Sequence, residues 1–160
     1  MTHPPAIEYF RFEEDFMEDN IRCIPMIVRF KLDAVGIKLK LKEWSKMSYD
    51  ERALLAEHPA DSHVDRLEYK THLAKLIFKH TGSQPTLLTI DEDPAWSNTN
   101  DIPYEVNEKL HELELSLSLM QWQELSTLQR FVLLKLSRPG HENRNFPKAM
   151  KEFGLIPAIS

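Results

Sequence analysis

The sequence predicts a mainly α-helical single domain over residues 1–160, built from two pseudo-symmetric helix–short extended segment–helix–helix repeats that share one core. Three observations carry that expectation. The first is internal self-similarity, which settles architecture before any local reading does. Residues 28–56 and 106–134 align at an offset of 78 and match at Lys31/Lys109, Leu32/Leu110, Leu41/Leu119, Trp44/Trp122, Ser48/Ser126, Arg52/Arg130 and Leu55/Leu133. The second is a pair of capping boxes in register, Ser48–Glu51 and Ser126–Gln129, in which each side chain satisfies the other residue's backbone N–H at a helix start. The third is composition: 42% apolar and 28% charged residues over 160 positions suit one folded core.

Taken in order, residues 1–20 mix Tyr9, Phe10, Phe12 and Phe16 with six acids, and read as an arm that lays its aromatics on the body. Pro25 sits where a helix starts, since a missing N–H costs little there. Ile24, Ile27, Val28, Leu32 and Val35 make a helical stripe that Gly36 can close in a left-handed conformation. The alternating runs Ile37–Leu41 and Leu115–Leu119 predict short extended segments that pair with each other as a small two-stranded ribbon. A short helix bearing Trp44 or Trp122 follows each run, and the capped helix comes next. Arg52 and Arg130 each read as a brace reaching a carboxylate or a helix C-terminus within the repeat, with a shared functional arginine pair as the sharper reading. Ser62 caps a further helix in which Val64, Leu67, Thr71, Leu73, Ala74 and Ile77 suggest the buried stripe, and Gly82 ends it. Residues 82–103 read as the linker between repeats, pinned by Trp96. Pro103 starts the second repeat, and Phe146-Pro147 opens a last short helix that ends at Gly154.

Charge and special residues narrow the function classes. The net charge is −5, but residues 21–60 carry eight bases against five acids and residues 135–152 five against two. Such segments read either as solvated faces or as a basic surface for an anion or an acidic partner. One cysteine, Cys23, excludes an intrachain disulfide framework and fits a reducing compartment. The N-terminus shows no signal-peptide pattern and no stretch is long and apolar enough for a membrane helix, so a cytoplasmic protein is expected.

Catalytic signatures are not evident. The seven histidines form no HExxH and there is no CxxC, so neither a metal nor another cofactor is predicted. No GxSxG, Walker loop or GxGxxG occurs. Cys23 beside Arg22 reads as a buried small hydrophobe rather than a catalytic thiol. His141 and Glu142 offer an acid–base pair with no nucleophile nearby. The chain is therefore read as not an enzyme. The helix–turn–helix pattern raises DNA binding, but residues 50–57 and 128–135 offer few side chains for base edges or phosphates.

Two long runs of unusual composition, IPMIVRFKLD within residues 22–44 and LSRPGHENRNF within residues 128–155, resemble the nitrate reductase-associated protein family over roughly residues 9–155. The resemblance implies a small soluble protein linked to assimilatory nitrate reductase, supporting production of active enzyme, with no catalytic residue to carry over. It points to an accessory that docks nitrate reductase or its maturation proteins through Arg22, Arg29, Lys31, Arg138, His141, Glu142, Asn143 and Asn145, although Lys31 and Arg138 also suit internal bracing. The alternative is that the same surface binds a small anion or a molybdenum cofactor, because clustered Arg and Asn donors suit phosphate and planar oxyanions. A helix-turn-helix-like DNA-binding regulator is the weaker alternative.

Overall fold

The computed structural model describes residues 10–13, 24–138 and 145–156, and it is mainly helical. The chain forms two compact units, residues 1–91 and 92–160. The predicted roles of Tyr9, Phe16, Arg22, Cys23, Pro139, Gly140, His141, Glu142 and Asn143 fall outside the described residues.

In the first unit, a 3-10 turn at Arg11–Glu13 precedes helix α1, Met26–Val35. Pro25 occupies the N-cap of α1 and has no side-chain acceptor to offer its first turn. The Glu13 carboxylate takes that role, accepting from the Met26 N–H at 2.8 Å and from the Phe10 N–H at 2.9 Å. Phe12 is buried and its ring stacks on Phe10, so this part of the aromatic arm packs as expected. Gly36 stops α1 at φ +75°, where a Cβ would lie 2.8 Å from Ile90 Cγ1 and 2.9 Å from the Leu88 carbonyl oxygen.

Strand β1, Ile37–Lys38, follows directly, and then helices α2, Leu41–Lys46, α3, Tyr49–Glu57, and α4, His63–Thr81. The extended run behaves differently from its prediction. β1 pairs antiparallel with β2, Thr86–Leu87, in the register Ile37 to Leu87 and Lys38 to Thr86. The second run, Leu115–Ser118, forms no strand, and Leu119 already begins a helix. Alternation in the first run buries Ile37 and Leu39 while Lys38 and Lys40 face solvent, and Gly36 lets residues 86–90 approach closely. The second run has Glu114 where the first has Gly36, and Leu115 and Leu117 are only half-buried. Close approach of a partner strand is not built into it.

Helix α4 turns only part of its expected stripe inward, namely Leu73 and Ile77. Tyr69, Leu73, Leu76 and Ile77 are buried, whereas Val64, Leu67 and Thr71 of the expected stripe are exposed and Ala74 is half-buried. Two apolar stripes share this helix. The one taken by the core includes Tyr69, whose hydroxyl donates to the Leu55 carbonyl at 2.7 Å. The first unit's core gathers Val28, Val35, Ile37, Trp44, Leu55, Tyr69, Leu73 and Ile77, and Gly82 closes α4 at φ +72°.

In the second unit, a 3-10 turn at Ala95–Ser97 leads to α5, Tyr104–Glu112, α6, Leu119–Glu124, α7, Thr127–Ser137, and α8, Asn145–Glu152. The helix starts Met26, Leu41 and Tyr49 become Tyr104, Leu119 and Thr127 on adding the offset of 78. Both anticipated capping boxes form, Ser126 N–H to Gln129 Oε1 at 2.9 Å and Ser48 N–H to Glu51 Oε1 at 2.8 Å. Ser118–Gln121 adds another that the sequence reading passed over, because it hid inside the alternating run. Trp96 packs edge-on against Phe131 at 5.7 Å, which pins the segment as expected. Phe131, Leu133, Leu134, Leu136, Phe146, Ala149 and Met150 are buried where α7 meets α5 and α8.

Candidate functional site

Buried cations at helix C-termini are the most distinctive chemistry in both units. A helix ends in carbonyls without intrahelical partners, and a cation there satisfies them and complements the dipole. In the first unit, Arg52 on α3 donates from Nε to the Trp44 carbonyl and from Nη2 to the Ser45 carbonyl, both at 3.0 Å. Its guanidinium lies 5.5 Å from the centre of the Trp44 ring, a cation–π distance. Lys31 on α1 donates from Nζ to the carbonyls of Ala56 at 2.6 Å and His58 at 2.8 Å, closing α3 in the same way. Each element thus ties off the end of another.

The second unit repeats the plan with more cover. Arg130 on α7 donates from Nη1 to the carbonyls of Leu125 and Trp122, from Nη2 to the Thr127 hydroxyl, and from Nε to the Trp96 carbonyl. Trp122 Nε1 donates to the Asn98 carbonyl at 2.8 Å, and Gln123 Nε2 to the Thr99 carbonyl at 3.0 Å. Residues 96–99 therefore lie across the tryptophan–arginine pair. In the first unit the Trp44 indole N–H is buried without a hydrogen-bond partner among the described residues. Burial lowers the pKa of Arg52 and Arg130, yet a guanidinium stays charged at any ordinary pH. Both arginines are the braces the sequence predicts, reaching helix C-termini rather than carboxylates.

The carbonyl roles of Trp96 and Asn98 were missed from sequence. A signal was present: the repeat extends upstream, with Glu14/Glu92, Asp15/Asp93, Asn20/Asn98, Ile24/Ile102 and Pro25/Pro103 identical at the same offset.

A second cluster lies where the start of α3 meets the end of α4. Glu51 accepts from Lys79 Nζ at 3.0 Å and pairs with His80 Nε2 at 2.8 Å, besides capping Ser48. Burial alone would raise the Glu51 pKa, but the Ser48 N–H, Lys79 and His80 outweigh it and hold the carboxyl down at about 2. His72 on α4 has a buried Nε2 with no partner among the described residues. Burial and then the neighbouring His58 push its pKa down. Among the described residues, no group of three or more His, Cys, Asp or Glu is placed to hold a metal ion.

The proposed docking residues fall into distinct environments. Arg29 on α1 is half-buried and donates from Nε to the Ile24 carbonyl at 2.8 Å. Lys31 takes the bracing role of the two it was offered. Arg138 is exposed just after α7, and Asn145 is buried at the start of α8. Arg29 and Lys31 belong to the first unit, Arg138 and Asn145 to the second. The DNA reading loses support from α7, one of its two proposed recognition helices, because Arg130–Leu134 and Leu136 are all buried. No helix among the described residues is long and apolar enough to cross a membrane.

These features define a mainly helical protein whose buried cations close its own helix ends. The chain belongs to the conserved nitrate reductase-associated protein family, whose profile matches residues 9–153. Comparison with curated proteins and with solved structures finds no match.

Proposed function

We propose that the protein is a non-catalytic accessory that supports the assembly, maturation or activity of assimilatory nitrate reductase through a protein–protein surface. Membership of the nitrate reductase-associated family over residues 9–153 is the observation that carries this reading. The residues read as contributing contacts are Arg22, Arg29, Arg138, His141, Glu142, Asn143 and Asn145, polar and charged side chains of the two segments whose charge balance is basic. Exposed Arg138 and half-buried Arg29 supply charge that steers an acidic partner, and Lys31 fixes α1, which carries Arg29, to the end of α3. The repeats at 28–56 and 106–134 are read as a duplicated unit, and the protein as working in the cytoplasm.

Affinity capture of the tagged full chain from cells grown on nitrate tests this reading, with an Arg22→Ala/Arg138→Ala variant alongside. Nitrate reductase or a protein of its maturation retained by wild type and lost by the variant is the expected outcome. Capture of neither, with a small anion or cofactor retained instead in native mass spectrometry, overturns it in favour of ligand binding.

A further inference from the structure

We propose that α4 pairs antiparallel with α4 of a second copy of this chain, making the protein a weak homodimer. At 19 residues α4 is the longest helix described, and its core-facing side is the one bearing Tyr69, Leu73, Leu76 and Ile77. The opposite side carries Val64, Leu67, Thr71, Ala74 and Phe78, spaced alternately three and four residues apart, which is the spacing of a coiled-coil seam. Val64, Leu67 and Phe78 are 61%, 59% and 55% exposed. Three large apolar side chains aligned on one face of one helix are unlike the scattered apolar residues of an ordinary surface, and mark an interaction site.

The charges beside the seam choose the occupant and its direction. Glu68 and Lys75 are both exposed and hold equivalent flanking positions in successive turns of the repeat. In an antiparallel pair with Leu67 opposite Phe78 and Thr71 opposite Ala74, Glu68 of each copy falls beside Lys75 of the other, and twofold symmetry makes that contact twice. A parallel pair would instead bring Lys70 of one copy beside Lys75 of the other, a like-charge contact. The seam is thus complementary to itself in one orientation only. Each helix is already formed by packing in its own unit, so pairing does not have to drive folding. The seam spans little more than two heptads, which places the dimer among small, weak interfaces.

Sedimentation equilibrium of the full chain tests the proposal. The mass should rise from 18.8 kDa toward twice that value as protein is raised from about 10 μM to about 1 mM, the range in which weak interfaces associate. Leu67→Asp should abolish the rise, and Glu68→Lys should weaken association about tenfold by placing lysine against Lys75 twice. The double variant Glu68→Lys/Lys75→Glu should restore association to within about twofold, because it reverses both charges of each contact. These positions face solvent, and circular dichroism confirms that each variant keeps its helix content. A wild type that stays monomeric throughout, association indifferent to Leu67→Asp and Glu68→Lys, or a charge swap that fails to restore it each overturns the proposal. Partner capture on nitrate does not depend on this result.

Discussion

Replacing Arg130 by alanine is the sharpest test of the helix-closing scheme. The substitution removes the donors to the carbonyls of Trp96, Trp122 and Leu125, while Trp122 itself stays buried. A buried acceptor left without its donor costs about 1–3 kcal/mol; the Trp122 carbonyl keeps the Leu125 N–H at 3.3 Å, so the carbonyls of Trp96 and Leu125 at mid-range put the loss at about 3–4 kcal/mol. For a chain of this size that corresponds to a fall in melting temperature of about 10 °C. Arg130→Lys keeps the charge but cannot address three carbonyls in different directions, and should recover only about 1 kcal/mol. Arg52→Ala removes donors to two carbonyls, of which that of Trp44 keeps the Met47 N–H and that of Ser45 is on an exposed residue, and should cost about 1 kcal/mol. Urea unfolding followed by both circular dichroism and tryptophan fluorescence reads all three, with coincidence of the two probes testing whether the units melt together. The reasoning is refuted if Arg130→Lys matches wild type, since a point charge would then suffice, or if Arg130→Ala loses less than about 1 kcal/mol.

Gly36→Ala should destabilise by about 3 kcal/mol in urea unfolding, because it forces a left-handed Cβ toward the Leu88 carbonyl, which sits on backbone and yields little. Its counterpart Glu114 holds φ 56° on an exposed position, and Glu114→Gly should stabilise by about 0.5–1 kcal/mol in the same assay. Glu51 has a folded pKa below its ordinary 4.5, so its contribution is full above pH 4.5 and is lost as pH falls toward about 2. After solvent screening this amounts to about 1 kcal/mol, and Glu51→Gln should flatten that part of the stability–pH curve.

Local rules carried much of the helical plan. Ser48, Ser62 and Ser126 sit where helices begin, and Gly36, Gly82 and Gly154 sit past their ends at positive φ, because capping needs only neighbours within a turn. Trp44, Trp122, Leu55 and Leu133, at matched positions of the repeat, are all fully buried. The strand pairing was not legible, since which segment reaches the β1 edge depends on space at Gly36 rather than on alternation. The inward face of α4 was ambiguous for a related reason. Two apolar stripes fit one periodicity, and only the tertiary partner Leu55 favours Tyr69. Among the docking residues, the two roles of Lys31 separate only once the Ala56 and His58 carbonyls are in place.

The Glu13 carboxylate on the first turn of α1 has a kinetic consequence. A first-turn amide normally meets water directly and exchanges its proton fast. The Met26 N–H is instead held by an acceptor 13 positions upstream, so its proton leaves only when that contact opens. The exchange rate of this single amide therefore works as a clock for detachment of the aromatic arm, readable in the intact protein without any label.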